Sequence, residues 1–289
     1  MDPVLMSVLA GLGGMFGWGI SDFLAGLFSK KIGNFRTFFW SQLAGLLFAS
    51  LLILFFAIQI QMPPFIAVLL PVAAIFYAGA YLLFYKGYEI GNISIVSATI
   101  NLWAVFTMLF AFIFLGQRLS GMQLLGVIMI IAGVTMVTLN WGSIKNLSIH
   151  ALKGVRETVA AAVLFGVFWN LSDVIAAEIG WLSTTIFVKI AIILFLLIFS
   201  LLFNRQLKMS KITNQTKVMI ALVGVLEASA VACFNWGLVV GDVILVTPIA
   251  SALTIVTITM ALVFLKEKIS WVQGLGIVVA IIGIILTVF

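Results

Sequence analysis

Four ionisable side chains lie inside long apolar stretches of this 289-residue sequence. Asp22 and Asp173 each close a W-x-x-S-D pattern, while Lys189 and Glu227 stand elsewhere among apolar residues. An ionisable group near the centre of a lipid bilayer costs about 2.5–3.5 kcal/mol on insertion scales, so each one needs a partner, an aqueous cavity or a functional role. These four positions are where the sequence first indicates chemistry.

The two aspartates occupy matching positions, about two turns from the end of their apolar runs. One interpretation makes Asp22 and Asp173 coupling or gating groups that are protonated or paired in alternation, with the proton as the candidate coupling ion. The other makes each aspartate a cap or partner of a neighbouring helix near the membrane interface. The sequence leaves both open.

Lys189 lies a turn or two into its run, at a position that matches Gln42. It could snorkel to the interface, bind an anionic group or pair with Asp173. Glu227 is too deep to snorkel, and is a candidate proton acceptor or ligand for a substrate amine, with pairing to another buried group as the alternative. Pro248 interrupts the backbone hydrogen bonds of its run, and both a kink and a hinge fit it. We assign Lys189 and Pro248, with the aspartates, to coupling or gating.

Aromatic and amide side chains supply the walls of a plausible pocket. Some of the Trp residues could instead anchor the interface or pack the core, whereas an amide in hydrocarbon needs a hydrogen-bond partner. Together they predict a cavity for a small polar or zwitterionic organic molecule. The candidate substrate-binding residues are Trp18, Asn101, Trp103, Trp169, Asn170, Glu227 and Asn235.

The elements that position these residues are membrane-spanning helices. Hydrophobic residues make up 64% of the chain and charged residues 8%, and the mean hydropathy is +1.31. This composition excludes a soluble globular domain. About 20 apolar residues form a helix that crosses a hydrocarbon core of about 30 Å. The ten predicted spans are 4–28, 37–58, 65–85, 93–115, 122–139, 158–177, 184–203, 218–239, 243–265 and 271–289.

The basic residues predict the orientation. The net charge is +6, and nearly all of the 15 Lys and Arg residues fall in loops on one side of the ten predicted spans. Arg118 alone falls on the other side. Because Lys and Arg in short loops are retained in the cytoplasm, we expect a multi-pass protein of the cytoplasmic (cell inner) membrane with both termini outside. This placement also removes any reason to expect a nucleic-acid partner.

The chain repeats itself at an offset of about 150 residues. W-G-I-S-D at residues 18–22 matches W-N-L-S-D at 169–173, and L-G-Q-R-L-S at 115–120 matches L-K-E-K-I-S at 265–270. Each copy holds five spans, and an odd number places the second copy in the opposite orientation. The sequence therefore predicts an all-α polytopic protein of two inverted five-helix repeats: residues 1–141, a cytoplasmic linker at 142–156, and residues 157–289.

This architecture, with Gln117-Arg118 and Glu267-Lys268 closing the fourth span of each half, resembles the EamA-type members of the drug/metabolite transporter superfamily. Gln117 stands where that family often has Glu. The resemblance implies a secondary transporter that moves a small organic metabolite, such as an amino acid, a sugar or a related compound, by gradient-driven export. Inverted repeats favour alternating access, because they provide two nearly isoenergetic states that open to opposite sides.

Other functions have less support in the sequence. There is no phosphate-binding loop, and His150 is the only histidine, so we expect no catalytic residues, metal or cofactor. The alternatives are a flippase for a lipid-linked substrate and a membrane-embedded lipid-phosphate enzyme, which would need clustered charges within the spans. Gly13 and Gly17 predict close helix packing, either within a monomer or in a homodimer.

Overall fold

A computed structural model describes residues 2–58, 62–90, 99–138, 154–209, 212–265 and 270–289. Within these ranges the regular structure is entirely helical. The helices are α1 (Pro3–Ile32), α2 (Asn34–Leu51), α3 (Pro64–Ile90), α4 (Leu102–Phe110), α5 (Gly121–Thr138), α6 (Val155–Ile179), α7 (Trp181–Leu202), α8 (Asn214–Val240), α9 (Val243–Ser251), α10 (Leu253–Leu265) and α11 (Trp271–Leu286). A 3-10 turn at Leu52–Leu54 follows α2, and a π-helical turn at Ala111–Leu115 follows α4.

Six of these helices are long and apolar enough to cross a membrane: α1, α2, α3, α6, α7 and α8. Four shorter apolar segments lie at the other predicted spans: α4 with its π turn, α5, α9 with the start of α10, and α11. The predicted start of the fourth span, most of the 142–156 linker and the Glu267-Lys268 element fall outside the described residues. A polytopic helical membrane protein is confirmed.

Helices at matching positions of the two repeats make reciprocal contacts. The first helix of each repeat packs on the third helix of the other, in the pairs α1–α8 and α6–α3. Likewise α6 packs on α4, and α1 packs on α9 and α10. These pairs form one core in which rings from both repeats meet. Such reciprocity is expected when a pseudo-two-fold axis relates the halves.

The last helices of the two repeats, α5 and α11, cross at glycines. A Cβ atom at Gly133 would lie 2.5 Å from the carbonyl oxygen of Gly276, and one at Gly126 would lie 2.7 Å from that of Gly283. Since 126 faces 283 and 133 faces 276, α5 and α11 run antiparallel. Glycine is needed at these crossings because the two backbones approach too closely for any side chain.

The glycines of α1 pack within the chain. A Cβ atom at Gly13 would meet Cys233, and one at Gly17 would meet Ala230, both on α8. The G-x-x-x-G pattern of α1 therefore serves contact between the two repeats in this structure.

Candidate functional site

A cavity of about 520 Å³, counting the space that opens to solvent, lies among α1, α3, α4, α6 and α10. Seven of its eleven lining residues are aromatic, and the polar exceptions are a carboxylate and an amide. The lining residues are Trp18, Asp22, Tyr77, Tyr81, Phe84, Ile100, Asn101, Trp103, Phe165, Trp169 and Leu253.

Three tryptophans from three helices form the inner wall of the cavity. The ring centroids of Trp18 and Trp169 are 5.2 Å apart with an edge-to-face tilt, and Trp103 lies 6.4 Å from Trp18 and 6.2 Å from Trp169. Phe234 packs behind them, 4.4 Å from Trp169. Trp18 and Trp169 are equivalent in the two repeats, so the repeat itself brings them together. Edge-to-face packing of this kind holds aromatic side chains rigidly.

A second wall comes from one face of α3. Tyr77, Tyr81 and Phe84 follow the i, i+4, i+7 spacing that aligns side chains along a helix. The ring of Phe165 on α6 packs against Tyr81, with centroids 5.0 Å apart. Tyr77, Phe84 and Phe165 were not among the predicted site residues. The spacing within α3 is the signal that would have found two of them.

Asp22 and Asn101 are the polar lining residues other than the tyrosines and tryptophans, whose hydroxyl and indole N–H groups are also polar. Asp22 follows Trp18 by one helical turn on the same face of α1, and its side chain is exposed in the cavity. Within the described part of the chain no hydrogen bond or ion pair holds its carboxylate. Asn101 precedes α4 and accepts a hydrogen bond from Thr254 at 3.3 Å. Asp22 is therefore the carboxylate of the cavity lining, and no side chain in the described ranges compensates its charge.

An ion pair lies behind the α3 wall. The Lys189 ammonium contacts Glu227 Oε2 at 2.5 Å and Gln42 Oε1 at 3.0 Å, and the Tyr77 hydroxyl donates to Glu227 Oε1 at 2.7 Å. The exposed fractions of the Lys189 and Glu227 side chains are 2% and 7%. Lys189 therefore does not snorkel, and its partner is Glu227 and not Asp173. Glu227 does not line the cavity, which it reaches only through Tyr77.

This cluster combines equivalent positions of the two repeats. Tyr77 and Glu227 are 150 residues apart, and Gln42 and Lys189 are 147 residues apart. The first pair is separated by the offset of the internal repeat, and the second pair by three residues fewer, so it matches with a short gap in the alignment. The buried charges thus lie where the two halves meet, with a neutral residue in the first half opposite each charged residue in the second.

Asp173, the equivalent of Asp22 in the second repeat, lies outside the cavity and is held by a hydrogen bond from Gln117. Gln117 Nε2 donates to Asp173 Oδ2 at 2.9 Å, and the backbone N–H of Ile244 donates to Gln117 Oε1 at 3.1 Å. The π turn and the left-handed Gly116, with φ of 69°, aim Gln117 at these partners. One glutamine thereby joins the end of the fourth span to α6 and to the start of α9. Asp22 and Asp173, although equivalent in sequence, lie in opposite environments.

The other predicted site residues are not brought to the cavity. Asn170 donates to the carbonyls of Thr107 and Gly166, at 3.0 and 2.8 Å. Asn235 accepts from Ser172 and donates to Thr185, both at 2.9 Å. These two amides join neighbouring helices instead. Pro248 is buried within α9, which ends at Ser251 before α10 begins at Leu253.

The apolar helices and the reciprocal packing of two repeats define a multi-pass membrane protein with an aromatic cavity among its helices. The chain belongs to the EamA-like transporter family, whose family model matches residues 5–139 and 152–289. A crystal structure of another protein, 16% identical in sequence, superposes with a TM-score of 0.80 over 97% of this chain and 95% of its own, which shows a shared fold. No curated protein sequence matches the chain.

Proposed function

We propose that this protein is a secondary transporter that carries a small organic metabolite by alternating access. The cavity is the transport site, and Trp18, Asn101, Trp103 and Trp169 bind the substrate. Asn170, Glu227 and Asn235 support its walls. The proposal includes ten spans in two inverted repeats at 1–141 and 157–289. The observation that carries it is the difference between the two equivalent aspartates: Asp22 is exposed in a cavity that opens to solvent, whereas Asp173 is bound by Gln117, which also bonds the start of α9.

The pseudo-symmetry of the two repeats suggests how the protein could open to each side of the membrane in turn. The repeats can exchange conformations, because their packing pairs are equivalent. After the exchange, Asp173 would be freed from Gln117, and the surroundings of Asp22 would close. Two such states of similar free energy expose one site to opposite sides in turn. Asp22 and Asp173 act as the gating groups, and protonation of either is the candidate coupling step.

The open end faces the cytoplasm. Arg36, at the start of α2, donates to the side chain of Gln206 at 2.9 Å, and the indole N–H of Trp40 donates to the carbonyl of Leu207 at 2.8 Å. These contacts place the start of α2 beside the basic loop after α7. Both carry the Lys and Arg residues that mark the cytoplasmic side. The Asp22 end of α1 points toward this side, so the cavity receives substrate from the cytoplasm. This suits substrate export that is driven by the gradient of a coupled ion.

Cysteine accessibility tests the two-state mechanism without knowledge of the substrate. In a Cys233→Ala background, Phe84→Cys reports on the open end of the cavity and Ile244→Cys on the tied end, where the backbone N–H is kept. We expect a membrane-impermeant maleimide to label Phe84→Cys from the cytoplasmic side and to leave Ile244→Cys unlabelled from outside.

Gln117→Ala then removes the hydrogen bonds at the tied end. We expect Ile244→Cys to become reactive from outside while Phe84→Cys loses reactivity, because one state replaces the other. Arg118→Ala is the matched control, since within the described residues its side chain donates to the carbonyls of Phe112 and Gln117 and stacks on Phe112, with no hydrogen bond to α6 or α9. Simultaneous labelling of both sites in Gln117→Ala would indicate a channel and contradict alternating access.

A further inference from the structure

We propose that the substrate of this cavity is an organic cation, such as a quaternary or protonated amine joined to an apolar group. This inference rests on the proposal that the cavity is the transport site. It is carried by two features of the lining: the aromatic rings and the single carboxylate of Asp22.

The aromatic lining favours a cation. The face of a Trp or Tyr ring is negative because of its quadrupole, and it attracts an ammonium group that lies within about 6 Å of the ring centroid. Here three indoles lie within 6.4 Å of one another, and Tyr77 and Tyr81 stand 4.9 Å apart on the next wall. A ligand between these walls meets several rings at once. A quaternary ammonium needs no hydrogen bond, so such a cage satisfies it fully.

The charge of the cavity lining also favours a cationic substrate. Asp22 is acidic, and none of the described lining residues is basic. Lys189 is a buried cation behind the α3 wall, but Glu227 neutralises it, and the hydroxyl of Tyr77, which lines the cavity, bonds Glu227. An anionic substrate would meet an unpaired carboxylate with no cation to compensate it. An organic cation would supply the partner that Asp22 lacks.

The same lining disfavours a sugar. A sugar presents many hydroxyl groups, each of which needs a hydrogen-bond partner once it leaves water. Besides the indole N–H groups of its three tryptophans, the cavity has the polar groups of Asp22, Asn101 and two tyrosines, and the hydroxyl of Tyr77 already donates to Glu227. A large apolar area with few polar groups suits an amine that carries an aryl or alkyl body.

Binding of benzyltrimethylammonium to the purified full-length chain tests the assignment. Benzyl alcohol and phenylacetate serve as neutral and anionic compounds with the same ring. Isothermal titration calorimetry should show the cation binding at least tenfold more tightly than either comparison compound. Failure of benzyltrimethylammonium to bind, or equal binding of benzyl alcohol, would overturn the proposal.

Two variant pairs separate the charge from the rings. Asp22→Asn should weaken binding of the cation about tenfold, as expected when a charged partner is lost. Glu178→Gln, an exposed carboxylate at the end of α6, should leave it unchanged. Tyr81→Leu should weaken binding about threefold to tenfold, whereas Tyr81→Phe, which keeps the ring face, should bind within about twofold of wild type. Unchanged binding in both Asp22→Asn and Tyr81→Leu would place the cation elsewhere and reject the site.

Counterflow in proteoliposomes distinguishes this proposal from the transport function. Saturable exchange of labelled benzyltrimethylammonium that is lost in Asp22→Asn supports both. Tight binding with no counterflow keeps the cation site and rejects the transporter. Counterflow of a neutral or anionic metabolite that benzyltrimethylammonium does not inhibit keeps the transporter and rejects the cation.

Discussion

The buried pair of Lys189 and Glu227 is the residue-scale feature with the largest energetic consequence. Removal of one member leaves the other charge buried and unpaired, which is far more destabilising than loss of the contact itself. We expect Lys189→Met to lower the free energy of unfolding by about 3–5 kcal/mol. Denaturation of the detergent-solubilised protein measures it, and Lys217→Met, an exposed cation at the start of α8, is the control.

A double substitution tests whether the loss of stability comes from the unpaired charge of Glu227. Lys189→Met combined with Glu227→Gln removes both charges, so we expect it to be more stable than Lys189→Met alone, as in a double-mutant cycle with strong coupling. If the double variant were less stable than the single one, Glu227 would not be paired with Lys189 in the folded protein.

Sequence reasoning at this scale found the ionisable residues but not their partners. Their burial follows from the apolar runs around Asp22, Asp173, Lys189 and Glu227. The partner of Lys189 depends on how α2, α3, α7 and α8 pack, and no local pattern encodes that packing. The alignment of the two repeats indicates part of this packing, because it pairs Tyr77 with Glu227 and Gln42 with Lys189, and these four residues meet in the folded protein.

At the scale of elements, the crossing of α5 and α11 depends on glycine. A Cβ atom at Gly133 would lie within 2.5–2.8 Å of the Gly276 carbonyl and of Ala280. We expect Gly133→Ala to lower stability by about 1–3 kcal/mol, because the helices must separate. The melting temperature measures the effect. Gly121→Ala is the matched control on the same helix, since a Cβ there has open space. Equal melting temperatures for the two variants would contradict this close crossing.

The break between α9 and α10 and the turn after α4 show the limit of prediction from hydropathy. Pro248 predicted an interruption of the ninth span, and α9 does end three residues later, at Ser251. The π turn at Ala111–Leu115 had no such marker. A π turn inserts a residue without changing the apolar pattern, so only the structure reveals that it aims Gln117 at Asp173 and at the start of α9.

For the whole molecule, the repeat predicts the architecture but not the state. Equivalent sequences predict equivalent halves, and the reciprocal contacts of α1 with α8 and of α6 with α3 follow from this symmetry. In the proposed alternating-access mechanism, a small free-energy difference between two conformations decides which end opens. Opposite environments for Asp22 and Asp173 therefore could not be read from their shared W-x-x-S-D pattern.

The orientation of the molecule in the membrane decides from which side the open cavity receives substrate. If the basic loops are retained in the cytoplasm, Gln206 lies inside and Phe289 outside. We expect alkaline phosphatase fused after Phe289 to be active and green fluorescent protein to be dark there, with the reverse after Gln206, because each reporter works on one side only. Both fusions are made with both reporters, so that poor expression is not mistaken for a location. The opposite pattern would turn the cavity outward, and the structure would then represent a state that receives substrate from outside the cell.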